Sequence, residues 1–186
     1  MFILYAIPIG VGIGYLLGGR LDRLATLRLR WAPLALIGLA VQLAIFADPI
    51  GPLLGEAAPT IYVASTALVL AAVLRNLDTP GIAIIAIGAS CNLAAIVANG
   101  GYMPADPAAL ASIGGPGTGA TNSIVVADPA LRPLTDVFAL PLWMPFANVF
   151  SIGDVLIGIG IAATIALAMR DRTVEPAVTP DTSHSG

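Results

Sequence analysis

Lysine is absent from this chain, and histidine and cysteine occur once each. Without lysine there is no Schiff-base chemistry and no phosphate-binding loop, and the glycine-rich run at 114–119 (GGPGTG) lacks the Gly-Lys-Ser/Thr ending. The one histidine, His184, stands two residues from the C-terminus, which removes Ser-His-Asp triads, paired-histidine haem ligation and ordinary zinc sites. Cys91 alone makes no intrachain disulfide. No two acids sit at the close helical spacing of aspartate-rich, magnesium-dependent lipid-modifying enzymes. Catalysis is disfavoured, and neither a cofactor nor a metal is expected. Charge is scarce too: 10% of residues are charged, where a soluble domain has about a quarter. The formal net charge of -3 says little about nucleic acid, and none is expected as a partner.

What the chain has instead is apolar length. It is 58% hydrophobic, with a mean hydropathy of +0.93. The apolar residues gather in five stretches, 2–18, 31–47, 57–74, 80–98 and 149–169. Each runs roughly 17–21 residues, enough at about 1.5 Å per residue to cross a hydrocarbon core of about 30 Å with flanking help. Backbone groups in lipid must be satisfied within their own segment, so the stretches are expected as helices. Arg20, Arg23, Arg28 and Arg30 follow the first stretch, Arg75 the third, and Arg170 and Arg172 the fifth. That alternation is the positive-inside bias of a multi-pass helical membrane protein. Only Arg132 breaks it, with Asp128, Asp136 or the outer headgroups as candidate partners. The first stretch has its charges after it, the reverse of a signal peptide.

The expectation is therefore an all-α integral membrane bundle of about five transmembrane helices, N-terminus outside and C-terminus cytoplasmic. Residues 1–172 form one transmembrane domain, with an external capping segment at 100–148 that is part loop and part interfacial. Residues 173–186 form a disordered cytoplasmic tail rich in Pro, Thr and Ser. The location is a bacterial cytoplasmic (inner) membrane. The lipid bilayer is one partner, and another membrane subunit or a second copy of the chain is a second.

Within this frame, Gly10, Gly14 and Gly18 line one face of the first helix at the spacing that lets another backbone approach closely. Gly160, Thr164 and Ala168 repeat the device in the fifth. Packing within the bundle is the plain use of these faces, and self-association through the first helix is the sharper one. Trp31 suits a headgroup-level anchor and Pro33 a first helical turn. The Ser65 and Thr66 hydroxyls suit bonds to the preceding turn. Gly100, Gly101, Met103 and Pro104 mark a sharp external turn after a helix end. Asp106 and Pro107 read as an N-cap and first turn of a short helix at 108–112. The segment 131–150 carries Phe138, Trp143, Phe146 and Phe150, is broken by Pro141 and Pro145, and is expected to lie in the outer interface or dip into the bundle.

Polar residues at membrane depth are costly and need a reason. Gln42, Asn92, Asn99 and Asp154 all fall toward the outer half of the bundle, where they form a candidate polar cluster. Each has a plainer role. Asn92 bonds a neighbouring helix, worth about 1 kcal/mol; Ser151 to Asp154 matches a capping box; Asn99 caps a helix end.

The runs Asn92…Asn99-Gly100-Gly101-Tyr102-Met103-Pro104, Leu134-Thr135-Asp136, Pro141-Leu142-Trp143-Met144-Pro145 and Ser151-Ile152-Gly153-Asp154, with Gly19-Arg20-Leu21 and Gln42, resemble an uncharacterised bacterial multi-pass membrane family. It is a domain of unknown function (DUF5317-like), and the likeness would cover about residues 1–170. The resemblance implies fold and topology and no activity. Three functions follow as expectations: a non-catalytic accessory, assembly or scaffold subunit; a small-molecule binder or transporter with an outward-facing polar pocket; and a lipid- or quinone-acting enzyme using Asp154.

Overall fold

A computed structural model describes residues 2–47, 50–114 and 123–170. The loop at 115–119 and the tail at 173–186 lie outside the described residues. The chain is mostly helical. Helices α1 (Ala6–Leu16), α2 (Ala32–Ile45), α4 (Ala58–Leu74), α5 (Ile82–Ala98) and α7 (Ile152–Ala168) occupy the five apolar stretches, and α3 (Ile50–Leu54) and α6 (Pro107–Ser112) are short. The helices are shorter than the stretches that hold them. With its leading 3-10 turn, α4 makes Gly55–Leu74, the one helix among the described residues that is long and apolar enough to cross a membrane. Phe2–Leu16, Ala32–Ile45, Ile82–Ala98 and Ile152–Ala168 are apolar but shorter. Local chemistry sets these limits: Gly18 leaves helical space at φ +76, and residues 149–150 are taken into a strand.

The principal contacts place the helices in a row, α1–α7–α5–α4–α2. Glycines set the spacing at each joint beside α7. A Cβ on Gly10 of α1 would stand 2.8 Å from the Ala162 carbonyl of α7, and one on Gly88 of α5 would stand 2.5 Å from that of Gly153. Further along the α5–α7 seam, Gly160 faces the backbone of Gly81 and Ile85. These near-contacts also give direction: α1 runs parallel to α7, and α5 antiparallel to it. Gly38 does the same work between α2 and α4, against Ser65 and Val69. Backbones this close gain dispersion contacts that larger side chains would hold apart.

Both faces take the plain use, packing within the chain, while the sharper use and the place of Gly18 are corrected. Gly10 and Gly14 are covered by α7, with Met169 beneath Gly14, so the face proposed for self-association is filled within the chain. Gly18 lies beyond the end of α1 with open space around its Cα. Gly160 and Thr164 face α5 and its N-terminal turn, and the Thr164 hydroxyl reaches the Pro80 carbonyl at 2.9 Å.

Burial follows side-chain size in an unusual direction. Ala6, Ala72, Ala86, Ala95, Ala162 and Ala166 are buried between helices, while Ile9, Leu16, Leu36, Leu43, Ile87 and Ile159 are exposed.

At one end of the helix axes stand Arg20, Arg23, Arg30 and Arg75. Arg20 N–H and the Arg23 guanidinium donate to the Met169 carbonyl at the end of α7, at 2.9 and 3.3 Å. Asn76 clasps the backbone of Arg30, accepting from its N–H at 2.7 Å and donating to its carbonyl at 2.8 Å. Arg30 pairs with Asp78, and Arg75 lies 5.5 Å over the Trp31 ring.

At the other end the described residues between 100 and 150 form a packed cap, which adds a few short strands to a mostly helical chain. Strand β1 (Met103–Ala105) pairs in parallel with β2 (Ser123–Val125), and Ala105 also bridges Asp136. Strands β3 (Phe138–Ala139) and β4 (Val149–Phe150) pair antiparallel, Phe138 opposite Phe150. Ala105, Ala109, Leu110, Ile113 and Val149 make a small core of the cap's own. The turn into it needs glycine twice over: Gly101 has φ +90, and a Cβ there would stand 2.6 Å from Pro59.

Gly88→Ala should force α5 and α7 apart and destabilise the fold by about 1–3 kcal/mol, the usual cost of overpacking. Gly12→Ala, whose Cβ would meet nothing within 4 Å, should be neutral or stabilising by up to about 1 kcal/mol from helix propensity. Unfolding midpoints in detergent micelles, measured side by side, check both.

Candidate functional site

Two of the four expected polar residues, Asn92 and Asp154, meet at the α5–α7 seam. Ser151 ends β4's extended backbone and caps α7, its side chain accepting from the Asp154 N–H at 3.0 Å. Asp154 reaches back and accepts from the Ser151 N–H at 3.1 Å, the reciprocal capping box expected from the sequence. Asn92, midway along α5, closes the arrangement from across the seam. Its amide nitrogen donates to Asp154 at 2.8 Å, and its carbonyl oxygen accepts from the Ser151 hydroxyl at 2.8 Å. Three side chains and one backbone turn thus form a closed hydrogen-bonded ring. Gly153 makes it possible, because any Cβ there would collide with the Asn92 carbonyl oxygen.

Of the four residues expected to form a polar cluster, hydrogen bonds join only Asn92 and Asp154. Gln42 donates to the Thr66 hydroxyl at 3.2 Å and belongs to the α2–α4 joint. Ser65 and Thr66 both donate to the Tyr62 carbonyl, as their positions predict. Asn99 is the C-cap of α5 and clasps the backbone of Ala130, donating to its carbonyl and accepting from its N–H, each at 2.9 Å. The geometry is that of Asn76 with Arg30 at the opposite end. Each asparagine stands at a helix terminus and holds a neighbouring loop as a strand would. Sequence reading missed Asn76, although its place directly after Arg75 at a helix end mirrors that of Asn99. It also missed Ser151 as a partner of Asn92, because that bond spans two helices far apart in the chain.

Gly100, at φ +70, and Gly101 turn the chain out of α5, and Met103 and Pro104 are buried beneath the cap, Met103 packing on Ile45, Tyr62, Ala95 and Ile96. Arg132, the exception to the arginine pattern, pairs with Asp106 at 3.1 Å rather than with Asp128 or Asp136. Asp106 also accepts from the N–H groups of Ala109 and Ala108 at the start of α6. These two N–H groups, with Arg132 behind them, hold its carboxyl below the usual carboxylate range. No group of three or more His, Cys, Asp or Glu that could hold a metal ion occurs among the described residues.

A family model described as a family of unknown function (DUF5317) matches residues 26–166. The match begins after α1, so Gly19-Arg20-Leu21 falls outside it, whereas the likeness read from the sequence began at residue 1. No curated protein and no solved structure matches the chain.

Asn92→Ala leaves the Ser151 hydroxyl and the Asp154 carboxylate short of a partner and should destabilise by about 1–2 kcal/mol. Asp154→Asn keeps one acceptor oxygen and should lose less; equilibrium unfolding in mixed micelles ranks the two. For Asp106 the sign is that of a depressed carboxylate. Its stabilisation of the cap is complete above the unfolded value, about 4, and is lost as pH falls through the lower folded value. Amide protection at Ala108 and Ala109, corrected for the pH dependence of free-amide exchange, should therefore fall in acid, and Asp106→Asn should flatten that dependence.

Proposed function

The chain belongs to the DUF5317 family, a family of unknown function, and on that footing we propose that it is a multi-pass protein of the bacterial cytoplasmic membrane acting as a non-catalytic assembly or scaffold subunit. Five helices cross the bilayer, the arginine end faces the cytoplasm, and the cap stands outside. Supporting the membrane reading, large apolar side chains are exposed on α1, α2, α5 and α7 while alanine and glycine fill the seams. Water would penalise that surface, and lipid does not. The 17 residues of α5 and of α7 span about 25 Å as helix, close to the hydrocarbon thickness. The 14 residues of α2 span about 21 Å, a shortfall met by local thinning and by the flanking Trp31.

The observation that carries the scaffold reading is the closed ring of Asn92, Ser151 and Asp154. Polar groups at depth that hold two helices together are structural; a transport or catalytic site would aim them at a ligand. Gln42 and Asn99, bonded elsewhere, contribute no second wall to such a site. The cap is then the elaborated surface, and a partner would meet it there.

Solubilised in mild detergent, the protein should migrate with a stoichiometric partner on native gels, and deletion of its gene should dissolve that complex. A lone monomer with no assembly defect on deletion would reject the scaffold reading. Orientation is checked separately in a Cys91→Ser background. Ala108→Cys should react with an impermeant maleimide added outside intact cells, and Leu24→Cys only after lysis.

A further inference from the structure

The tip of the β3–β4 hairpin is the most exposed apolar feature of the cap. Leu142 is 64% exposed, Trp143 82% and Phe146 67%. Two contacts fix where this tip stands. The Tyr5 hydroxyl donates to the Pro145 carbonyl, and Phe2 stacks on Phe150, which in turn stacks on Phe138. The tip is thereby held beside the first turn of α1, at the end of the helix axes opposite Arg20 and Arg23. Leu4 and Ile7, next in the chain to Tyr5 and Ala6, are exposed as well.

Two prolines leave the tip with fewer backbone donors than its length would otherwise carry. Pro141 and Pro145 have no N–H to desolvate. Met144 N–H donates to the Pro141 carbonyl and Leu140 N–H to that of Asn148, each at 2.9 Å. No charged residue occurs between Asp136 and Asp154. An apolar tip with no charge and a tryptophan at its apex suits the headgroup boundary of a bilayer, where an indole finds both an apolar bed and a hydrogen-bond acceptor.

Resting on the membrane reading given above, we propose that the 141–147 tip is an interfacial anchor that seats Leu142 and Trp143 in the outer leaflet, beside the start of α1. The segment neither re-enters the bundle nor stands in water. It ties the cap to the lipid surface, so that the cap and the row of helices keep one orientation relative to the bilayer.

Trp31 and Trp143 are the two tryptophans in the chain, so Trp31→Phe leaves Trp143 as the sole reporter and keeps an aromatic ring beneath Arg75. Full-length Trp31→Phe protein is reconstituted in phosphatidylcholine–phosphatidylglycerol vesicles, and flotation establishes that it is membrane-bound. Trp143 emission should be blue-shifted relative to free tryptophan. It should be quenched more by lipid brominated near the headgroups than by lipid brominated near the chain ends, and should be shielded from aqueous iodide. If the protein floats but Trp143 is open to iodide and insensitive to brominated lipid, the anchor is wrong and the membrane reading stands. Shielding from both quenchers also overturns it and points to a protein surface, a second copy included. Strongest quenching by chain-end bromine would place the tip inside the bundle and reject an interfacial seat. Protein that fails to float defeats the membrane reading and the anchor together.

Discussion

The contact between α5 and α7 is the constraint on which the rest of the molecule depends. Gly88 meets Gly153 at one end of the seam and Gly81 meets Gly160 at the other, so the two backbones touch along most of their length. Such proximity is possible only without side chains, and it leaves no room for adjustment. The Asn92–Ser151–Asp154 ring then fixes the register, because its four hydrogen bonds demand one longitudinal alignment of the helices. Packing supplies the attraction and the polar ring selects a single geometry from the slides that smooth helix faces permit.

With that seam set, both ends of the row follow. On one side α7 receives α1 against Gly10, and its last carbonyl at Met169 is tied to Arg20 and Arg23. On the other side α5 passes the arrangement to α4 and so to α2. The capping box that starts α7 is continuous with β4, so the alignment of the seam also positions the β3–β4 hairpin and the rest of the cap. Asn99 at the end of α5 secures residue 130 from the opposite side. The cap is thus a dependent of the helix pair rather than an appendage.

Much of this was readable locally. The five helices, the Asp106 and Ser151 caps and the glycine turn at 100–101 each depend on residues within a few positions of one another. So does the clustering of arginines at one end, which needs only alternating spans. The cap's strands were not readable, because β1–β2 and β3–β4 are two or three residues long and carry no alternation long enough to show. Nor was the assignment of partners. Arg132 has acids nearer in sequence than Asp106, and Asn92 lies 62 positions from Asp154. The glycines at four-residue spacing announced a close approach without naming which helix approaches.

Composition and local pattern determined that the chain is mostly helical: apolar stretches that satisfy their own backbones, with the arginines, Arg132 apart, set between or after them. The tertiary structure alone decided that Asn92, Ser151 and Asp154 bond one another, that α7 covers Gly10 and Gly14, and that the aromatic segment becomes a hairpin beside α1. The division has a physical reason. Helix formation, capping and side-chain burial preference act over a few residues and leave their mark in the local sequence. Which glycine face meets which depends on the summed packing of every helix at once, and no short stretch of sequence carries that sum.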